Sequence, residues 1–262
     1  MKSRASLLCL IGLSFSQYAV AEIAKHTTVT MDASGKRTEY MEMVADDNGN
    51  LRIEMYAVDG SGNRGALRDF VIFQANEQRM LTSSGGTCQA MSLDGKDLPG
   101  GISPEQMAQA QRALAEMKAQ NPEMAKMLES QMGDMGAMLS GEQSDLQLVQ
   151  SGQNKSIGDY DTTGFTVTGM PGGIGTYTVW AADVDDVAGA ATISAASAGM
   201  MRAHKQMLDN MGVGEMLGTN TFAEIMDKMD DYYPIFTEMN SSSTQLISTN
   251  GDGSTDFHPA CN

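Results

Sequence analysis

The sequence predicts an α+β fold in which helices interrupt and cover one antiparallel sheet. Two observations predict it: β-rich runs separated by turn residues fill the first third of the chain, and helical spacing appears in two later blocks. The resulting order of strands, helical insert, strands, helices and strands is typical of one continuous sheet. The first strand-like runs are "HTTVTM", "TEYMEMV", "NLRIEMYAV" and "RDFVIFQA", separated by the turn segments "DASGK", "DDNGN" and "VDGSGNRG".

The run "NLRIEMYAV" shows the strand period most clearly. Leu51, Ile53 and Met55 alternate with the polar Arg52 and Glu54. Successive side chains of a strand point to opposite faces, so this run predicts a half-buried antiparallel strand with one apolar and one solvated face. The segment "DDNGN" just before it lacks the distal Glu of a calcium-binding loop, and we interpret it as a hairpin turn.

A methionine-rich helical hairpin is predicted over residues 103 to 140. Ser103 caps a first helix that begins at Pro104, and an Asn-Pro pair at 121 to 122 separates it from a second helix. Gly133 and Gly136 weaken the end of the second helix, so we hypothesise that the hairpin is a movable lid. Its apolar side carries Met124, Met127, Leu128, Met132, Met135, Met138 and Leu139.

Strands and helices alternate again after the insert. Helical spacing predicts helices over residues 191 to 211 and 222 to 230. The remaining strand-like runs are "DLQLVQ", "GFTVTG", "TYTVWAADV", "YYPIFTEM" and "TQLISTN".

The first residues have the pattern of a secretory signal peptide. Lys2 and Arg4 precede a mostly apolar run over residues 7 to 15, and Ala19-Val20-Ala21 is a small-x-small cleavage signal. We expect residues 1 to 21 to be removed between Ala21 and Glu22. The apolar run is too short to span a bilayer, so a soluble periplasmic or secreted protein of residues 22 to 262 is predicted.

The acidic composition excludes some partners. Without the signal peptide the chain keeps 15 basic and 33 acidic residues, a net charge of −18 before histidine is counted. Such a surface repels nucleic acid and anionic lipid head groups. The hydrophobic fraction of 41% argues against global disorder.

Several segments, taken in order, resemble the domain-of-unknown-function family 4412. They are "NLRIEM", the Met-rich insert, "SIGDYDTTGFTV", "TYTVW", "YYPIFTEM" and "DFHPA", and the likeness covers most of the chain from about residue 25. That family is similar to the periplasmic lipoprotein carriers LolA and LolB, whose sheet is a curved antiparallel half-barrel with helices on its concave side. The resemblance implies this fold for residues 22 to 262, as a single domain, and an exported, non-catalytic binding scaffold.

The sequence contains none of the common catalytic motifs. The sequence has three histidines and lacks the His-Glu-x-x-His, Gly-x-Ser-x-Gly, Cys-x-x-Cys and Walker patterns. His204 has no ligand-type neighbour at a helical spacing, so a solvated or packing role is expected for it. We therefore predict a protein without enzymatic activity, cofactor or metal.

The predicted function is to hold a hydrophobic or acyl ligand in the cavity of the half-barrel. Trp180 either lines the mouth of that cavity or packs in the core. The candidate ligand-binding residues are Met41, Met43, Ile53, Met55, Phe165, Val167, Trp180, Met124, Met127 and Met135.

Two other functions are compatible with the methionines. The Met-rich helices are an adaptable apolar surface that would also suit docking on a protein partner. Thioethers are soft ligands, so weak Cu(I) binding by Met124, Met127, Met132 and Met135 is a further alternative. Dedicated copper sites usually add His or Cys, and residues 104 to 140 contain neither.

The cysteine count predicts a disulfide. Cys9 leaves with the signal peptide, and the two remaining thiols form an even number in an oxidising compartment. We predict that Cys88 and Cys261 are joined.

Overall fold

The computed structural model describes residues 23–93, 147–169, 176–210, 228–239, 241–251 and 253–259. These residues form eleven strands, one α-helix and a short 3-10 helix at Val184–Asp186. The α-helix, α1, is Ala190–Asn210. The strands are β1 (Ile23–Asp32), β2 (Arg37–Asp46), β3 (Leu51–Val58), β4 (Arg64–Gln74), β5 (Arg79–Ser84), β6 (Thr87–Ser92), β7 (Gln147–Ile157), β8 (Tyr160–Thr168), β9 (Tyr177–Asp183), β10 (Tyr232–Met239) and β11 (Ser242–Ser248).

All eleven strands belong to one open antiparallel sheet. Its order is β6-β5-β4-β3-β2-β1-β11-β10-β9-β8-β7, so two meanders meet where β1 pairs with β11. Each of the nine strand-like runs overlaps a strand of this sheet, and the helix predicted over 191 to 211 is confirmed as α1. The second predicted helix, 222 to 230, falls mostly outside the described residues.

The predicted fold class is wrong. The described residues form a mainly antiparallel β structure with a single α-helix, and the sheet is open. The expected fold was an α+β half-barrel with several helices on its concave side. Its class was inferred from the helical blocks, whereas strands make up most of the described structure. No strand-like run was named for β5, which is short and largely polar, so its alternation is weak. The Met-rich hairpin predicted over 103 to 140 lies outside the described residues.

Three hairpin turns share one pattern, which explains why their strands begin and end where they do. Asp32, Asp46 and Asp59 each accept hydrogen bonds at Oδ1 from the backbone N–H groups two and four positions later. Each turn has a glycine three positions after its Asp, with φ between 79° and 82°. The segment "DDNGN" is one of these turns, as predicted.

Helix α1 covers one face of the sheet and forms the main core with it. A Cβ on Gly189 would lie 2.8 Å from Cβ of Ala24 on β1, so the chain enters the helix against β1. Farther along, Gly199 lies over Phe73 of β4. The fully buried members of this core include Ala45, Leu51, Phe73, Leu93, Ala190, Ile193, Ala196 and Ile235.

The opposite face of β2 to β5 is covered by the last described residues of the chain. Phe257 packs with Val44, Ile72 and Leu81, which alternate with core residues of the helix-facing side. The amide Nε2 of Gln74 donates a hydrogen bond of 2.7 Å to the carbonyl of Phe257. We call residues 249–251 and 253–259 the C-terminal segment.

The C-terminal segment buries charged residues that the sequence placed on a solvated face. Arg52 and Glu54 are 6% and 2% exposed, and they form an ion pair of 2.6 Å. Arg52 also donates to the carbonyl of Asp256, and the N–H of Ser254 donates to Glu54. The expectation of a wet face on β3 is therefore wrong, because a distant part of the chain covers it.

Candidate functional site

A cavity of about 280 Å³ lies between α1 and the sheet. Its floor comes from β1, β2, β10 and β11, the central strands where the two meanders join. Its lining residues are Thr28, Met41, Met43, Ile193, Ser194, Ser197, Ala198, Arg202, Met229, Asp230, Tyr232, Tyr233, Pro234, Ile235, Phe236, Thr237, Thr244 and Leu246.

Small helix residues leave this space open. Ser194, Ala198 and Arg202 are spaced by four, so they lie one above the other along one side of α1. Ser197 lines the same cavity one turn from Ser194. The hydroxymethyl and methyl groups of Ser194, Ser197 and Ala198 are too short to fill the gap between helix and sheet. The cavity therefore follows from the run of small residues in the first half of α1.

The floor of the cavity is mostly apolar. Met41 and Met43 of β2 provide flexible thioether side chains, and Leu246 of β11 and Ile235 of β10 provide branched ones. Pro234 lies at a bulge where the register between β10 and β9 shifts. Proline has no N–H to donate to the ladder, and it is tolerated at a bulge because the regular hydrogen bonding is interrupted there.

Three polar residues in the lining form no side-chain hydrogen bond or ion pair with other described residues. Thr28 is 7% exposed, and its Oγ1 is buried without a hydrogen bond within the described part of the chain. The neighbouring Thr30 differs, because its Oγ1 lies 3.2 Å from that of Thr244. Across the described residues, Arg202 and Asp230 form no ion pair, and both are exposed.

A buried histidine supports the inner wall. His26 is fully buried; its Nε2 donates to the carbonyl of Ala188 at 2.7 Å, so its Nδ1 accepts from the hydroxyl of Tyr233 at 2.7 Å. The two rings also meet edge to face at 4.9 Å. Burial lowers the pKa of His26 below its ordinary value and raises that of Tyr233, so both groups are neutral at pH 7. This pair fixes β1, β10 and the start of α1 relative to one another.

The ligand-binding residues predicted from the sequence lie in different parts of the structure, and only some of them line the cavity. Met41 and Met43 line the cavity, and Ile53 and Met55 lie directly opposite them on β3. Phe165 and Val167 belong to a second buried cluster on β8 and β9, which includes Met229 of the cavity lining. Phe165 also meets Tyr232 edge to face at 5.0 Å.

Trp180 lies on β9 and is not among the residues that line the cavity. It is 9% exposed, and the ammonium group of Lys155 lies 3.9 Å from its ring centroid. A Cβ on Gly164 would lie 3.0 Å from the indole ring, so this glycine allows the close approach of β8. Of the two positions predicted for Trp180, this one agrees with packing in the core and not with lining the mouth of the cavity.

Other predicted positions lie outside the described residues. They include Met124, Met127, Met132 and Met135, so ligand binding, partner docking and Cu(I) binding through the Met-rich helices stay predictions. Cys88 is on β6, while Cys261 is outside the described residues. Among the residues that the structure describes, no group of three or more His, Cys, Asp or Glu side chains is placed to hold a metal ion.

The α1 residues that line the cavity were not predicted from the sequence, because their pattern gives only a weak indication of a binding site. Ser194, Ser197 and Ala198 have the small side chains of an ordinary alanine-rich helix, and Arg202 has the pattern of a solvated position. Their role depends on which strands α1 crosses, and this is set by long-range strand pairing. The unusual run of small residues before Met200 and Met201 is the one feature that could have indicated a gap.

Comparisons with known proteins give little similarity. No protein-family model matches the chain, and no curated protein matches it. A solved structure of PNGF-II is similar over 89% of this chain and 28% of its own length, with 8% identity and a TM-score of 0.35. The chain thus spans less than a third of that protein, and the likeness is too low to support an argument about fold or activity.

None of the helices in the described part of the chain combines the length and apolar character that crossing a membrane requires.

Proposed function

We propose that the protein is an exported, non-catalytic binding protein that holds a hydrophobic or acyl ligand between α1 and the sheet. The observation that carries this proposal is the cavity itself, with a floor of Met41, Met43, Ile235 and Leu246. Its volume of about 280 Å³ is near the lower end of ordinary ligand pockets, which begin at roughly 300 Å³. A small apolar molecule or one alkyl chain suits this size.

The wall chemistry supports an apolar occupant. A ligand that covers these side chains removes apolar surface from water, which contributes about 25 cal/mol for each Å² buried. Met41 and Met43 are both half-buried, and unbranched thioethers adapt to ligands of different shape. The His26–Tyr233 pair keeps the inner wall rigid, so little ordering of the site is needed when a ligand binds.

A pair of substitutions on α1 tests this proposal. Ala198 lines the cavity, while Ala195 is on the solvent side of the same helix. Ala198→Leu fills the cavity, and Ala195→Leu adds the same atoms outside it. Both keep a good helix former, so the helix itself is preserved. We expect Ala198→Leu to weaken binding of a neutral, environment-sensitive fluorescent dye at least tenfold, and Ala195→Leu to leave it unchanged.

Thermal unfolding of both variants checks that each is folded before dye binding is compared. Equal dye binding by the two variants would contradict the proposal, because it would place the dye elsewhere on the protein.

A further inference from the structure

The polar part of the cavity lining specifies the ligand further. Within the described residues Thr28 Oγ1 is buried without a hydrogen bond, so a polar atom of a ligand that reaches it would supply the missing partner. Ser194 and Ser197 also have hydroxyl groups without a side-chain hydrogen bond in the described structure. Hydroxyl groups can donate or accept, so the site suits a ligand with polar atoms as well as an apolar body.

Arg202 adds a positive charge to the side of the cavity formed by α1, where Ser194 and Ser197 also lie. Helical side chains lean toward the helix N-terminus, and Arg202 lines the cavity one turn after Ala198 on the same side of α1. Arg202 forms no ion pair or hydrogen bond within the described residues, although the protein has a net charge of −16. A guanidinium with five free donors matches a carboxylate or phosphate geometrically.

We infer that the ligand is an anionic amphiphile whose carboxylate or phosphate head group binds Arg202 while its alkyl chain occupies the cavity. This inference rests on the proposed function and adds the chemistry of the head group. Asp230, on the rim contributed by the turn before β10, disfavours an anion on its own side. The head group is therefore placed on the α1 side, near Arg202 and the two serines.

The test compares head groups at constant chain length. Decanoate, decyl phosphate, decanol and decylammonium are titrated calorimetrically into the full chain, below their micelle concentrations. We expect the wild type to bind decanoate or decyl phosphate at least about tenfold more tightly than decanol, as one charge-assisted hydrogen-bonded pair provides. Decylammonium should bind most weakly. The stronger of the two anions identifies the head group as carboxylate or phosphate.

Two variants then assign the preference to its residue. Arg202→Gln should reduce anion affinity about tenfold, to that of decanol, and leave decanol affinity unchanged. Lys205→Gln is the matched control, because it removes one positive charge from the same helix at a position that does not line the cavity. This control should keep the anion preference within about twofold, so a loss in both variants would assign the preference to overall charge and contradict the inference.

The outcomes separate the two proposals. If decanol binds as tightly as the anions, and Ala198→Leu abolishes its binding, the cavity binds alkyl chains and only the head-group inference is wrong. If neither decanol nor the neutral dye responds to Ala198→Leu, the proposed function itself is wrong. An anion preference that survives Arg202→Gln would also overturn the inference.

Discussion

At the residue scale, the Thr28 hydroxyl departs from ordinary packing, because it is buried without a hydrogen bond within the described part of the chain. Buried polar groups are nearly always hydrogen-bonded, and those that are not commonly belong to functional sites. Thr28→Val keeps the shape and removes the hydroxyl. We expect it to raise the unfolding free energy of the ligand-free protein by about 1 kcal/mol, measured by urea unfolding.

Thr30→Val is the control for this change, because the Thr30 hydroxyl lies 3.2 Å from that of Thr244. This variant should lose about 1 kcal/mol instead, since it leaves Thr244 without its partner. A loss of stability in Thr28→Val would show that its hydroxyl is already satisfied in the folded protein.

His26 makes stability depend on pH. Burial lowers its pKa in the folded protein below the ordinary value of 6.5, so the unfolded chain binds the proton more readily. Its contribution is fully present above about pH 6.5 and decreases as the pH falls below that value. The fully buried ring has no solvent to stabilise its charged form.

Two measurements check this effect. Urea unfolding at several pH values should show stability falling on the acid side of pH 6.5, and NMR of the imidazole should give a pKa below 6.5 for His26. His204 has a pKa lowered by partial burial and acts in the same direction, so a His204→Asn background isolates His26. A His26 pKa at or above 6.5 would contradict the buried neutral ring.

At the element scale, the C-terminal segment, up to residue 259, packs on the strand next to the one that carries Cys88. Leu81 packs with Phe257 and pairs with Ala90, while Cys88 pairs with Ser83 two positions away. The side chains of Cys88 and Leu81 therefore point to the same face of the sheet. The four Cα–Cα steps from 257 to 261 can span up to about 14 Å, so this placement supports the predicted disulfide.

The disulfide is checked by alkylation of freshly purified protein without reductant, followed by peptide mass spectrometry. We expect one linked peptide pair that contains Cys88 and Cys261, and labelling of both thiols only after reduction. Complete labelling of both thiols without reductant would contradict the pairing.

Also at this scale, α1 shows how an amphipathic pattern can produce a cavity. Ile193, Ala196, Ala203 and Met207 face the sheet and are buried, as the helical period predicts. The flank with Ser194 and Ala198 faces the sheet too, but its side chains are too small to meet it. The sequence pattern predicts the helix and its buried side, while the gap depends on the separation between α1 and the strands.

At the scale of the whole molecule, the sequence predicted the strands better than the fold class. The nine predicted runs lie on strands because period-2 alternation and Asp-Gly turn chemistry are local signals. The strand order was not predictable in this way, since the pairing of β1 with β11 joins residues more than 200 positions apart. The burial of Arg52 and Glu54 has the same cause, because the C-terminal segment covers them.

The candidate site was predicted only in part for the same reason. Met41 and Met43 were identified from their strand pattern, and the structure places both in the cavity lining. Phe165 and Trp180 have the same apolar character, but neither is among the lining residues, although each adjoins one of them. Apolar alternation identifies which face is buried, but the residues that border an unfilled space depend on the complete packing.

The central claim is that an alkyl chain enters the space between α1 and the sheet. A photoreactive alkyl diazirine without a charged head group tests it most directly, because the label attaches where the chain lies. We predict labels on peptides that contain Met43, Ile193 or Ile235, and their loss in Ala198→Leu but not in Ala195→Leu. Labelling confined to other peptides, or equal labelling of these peptides in both variants, would contradict the account.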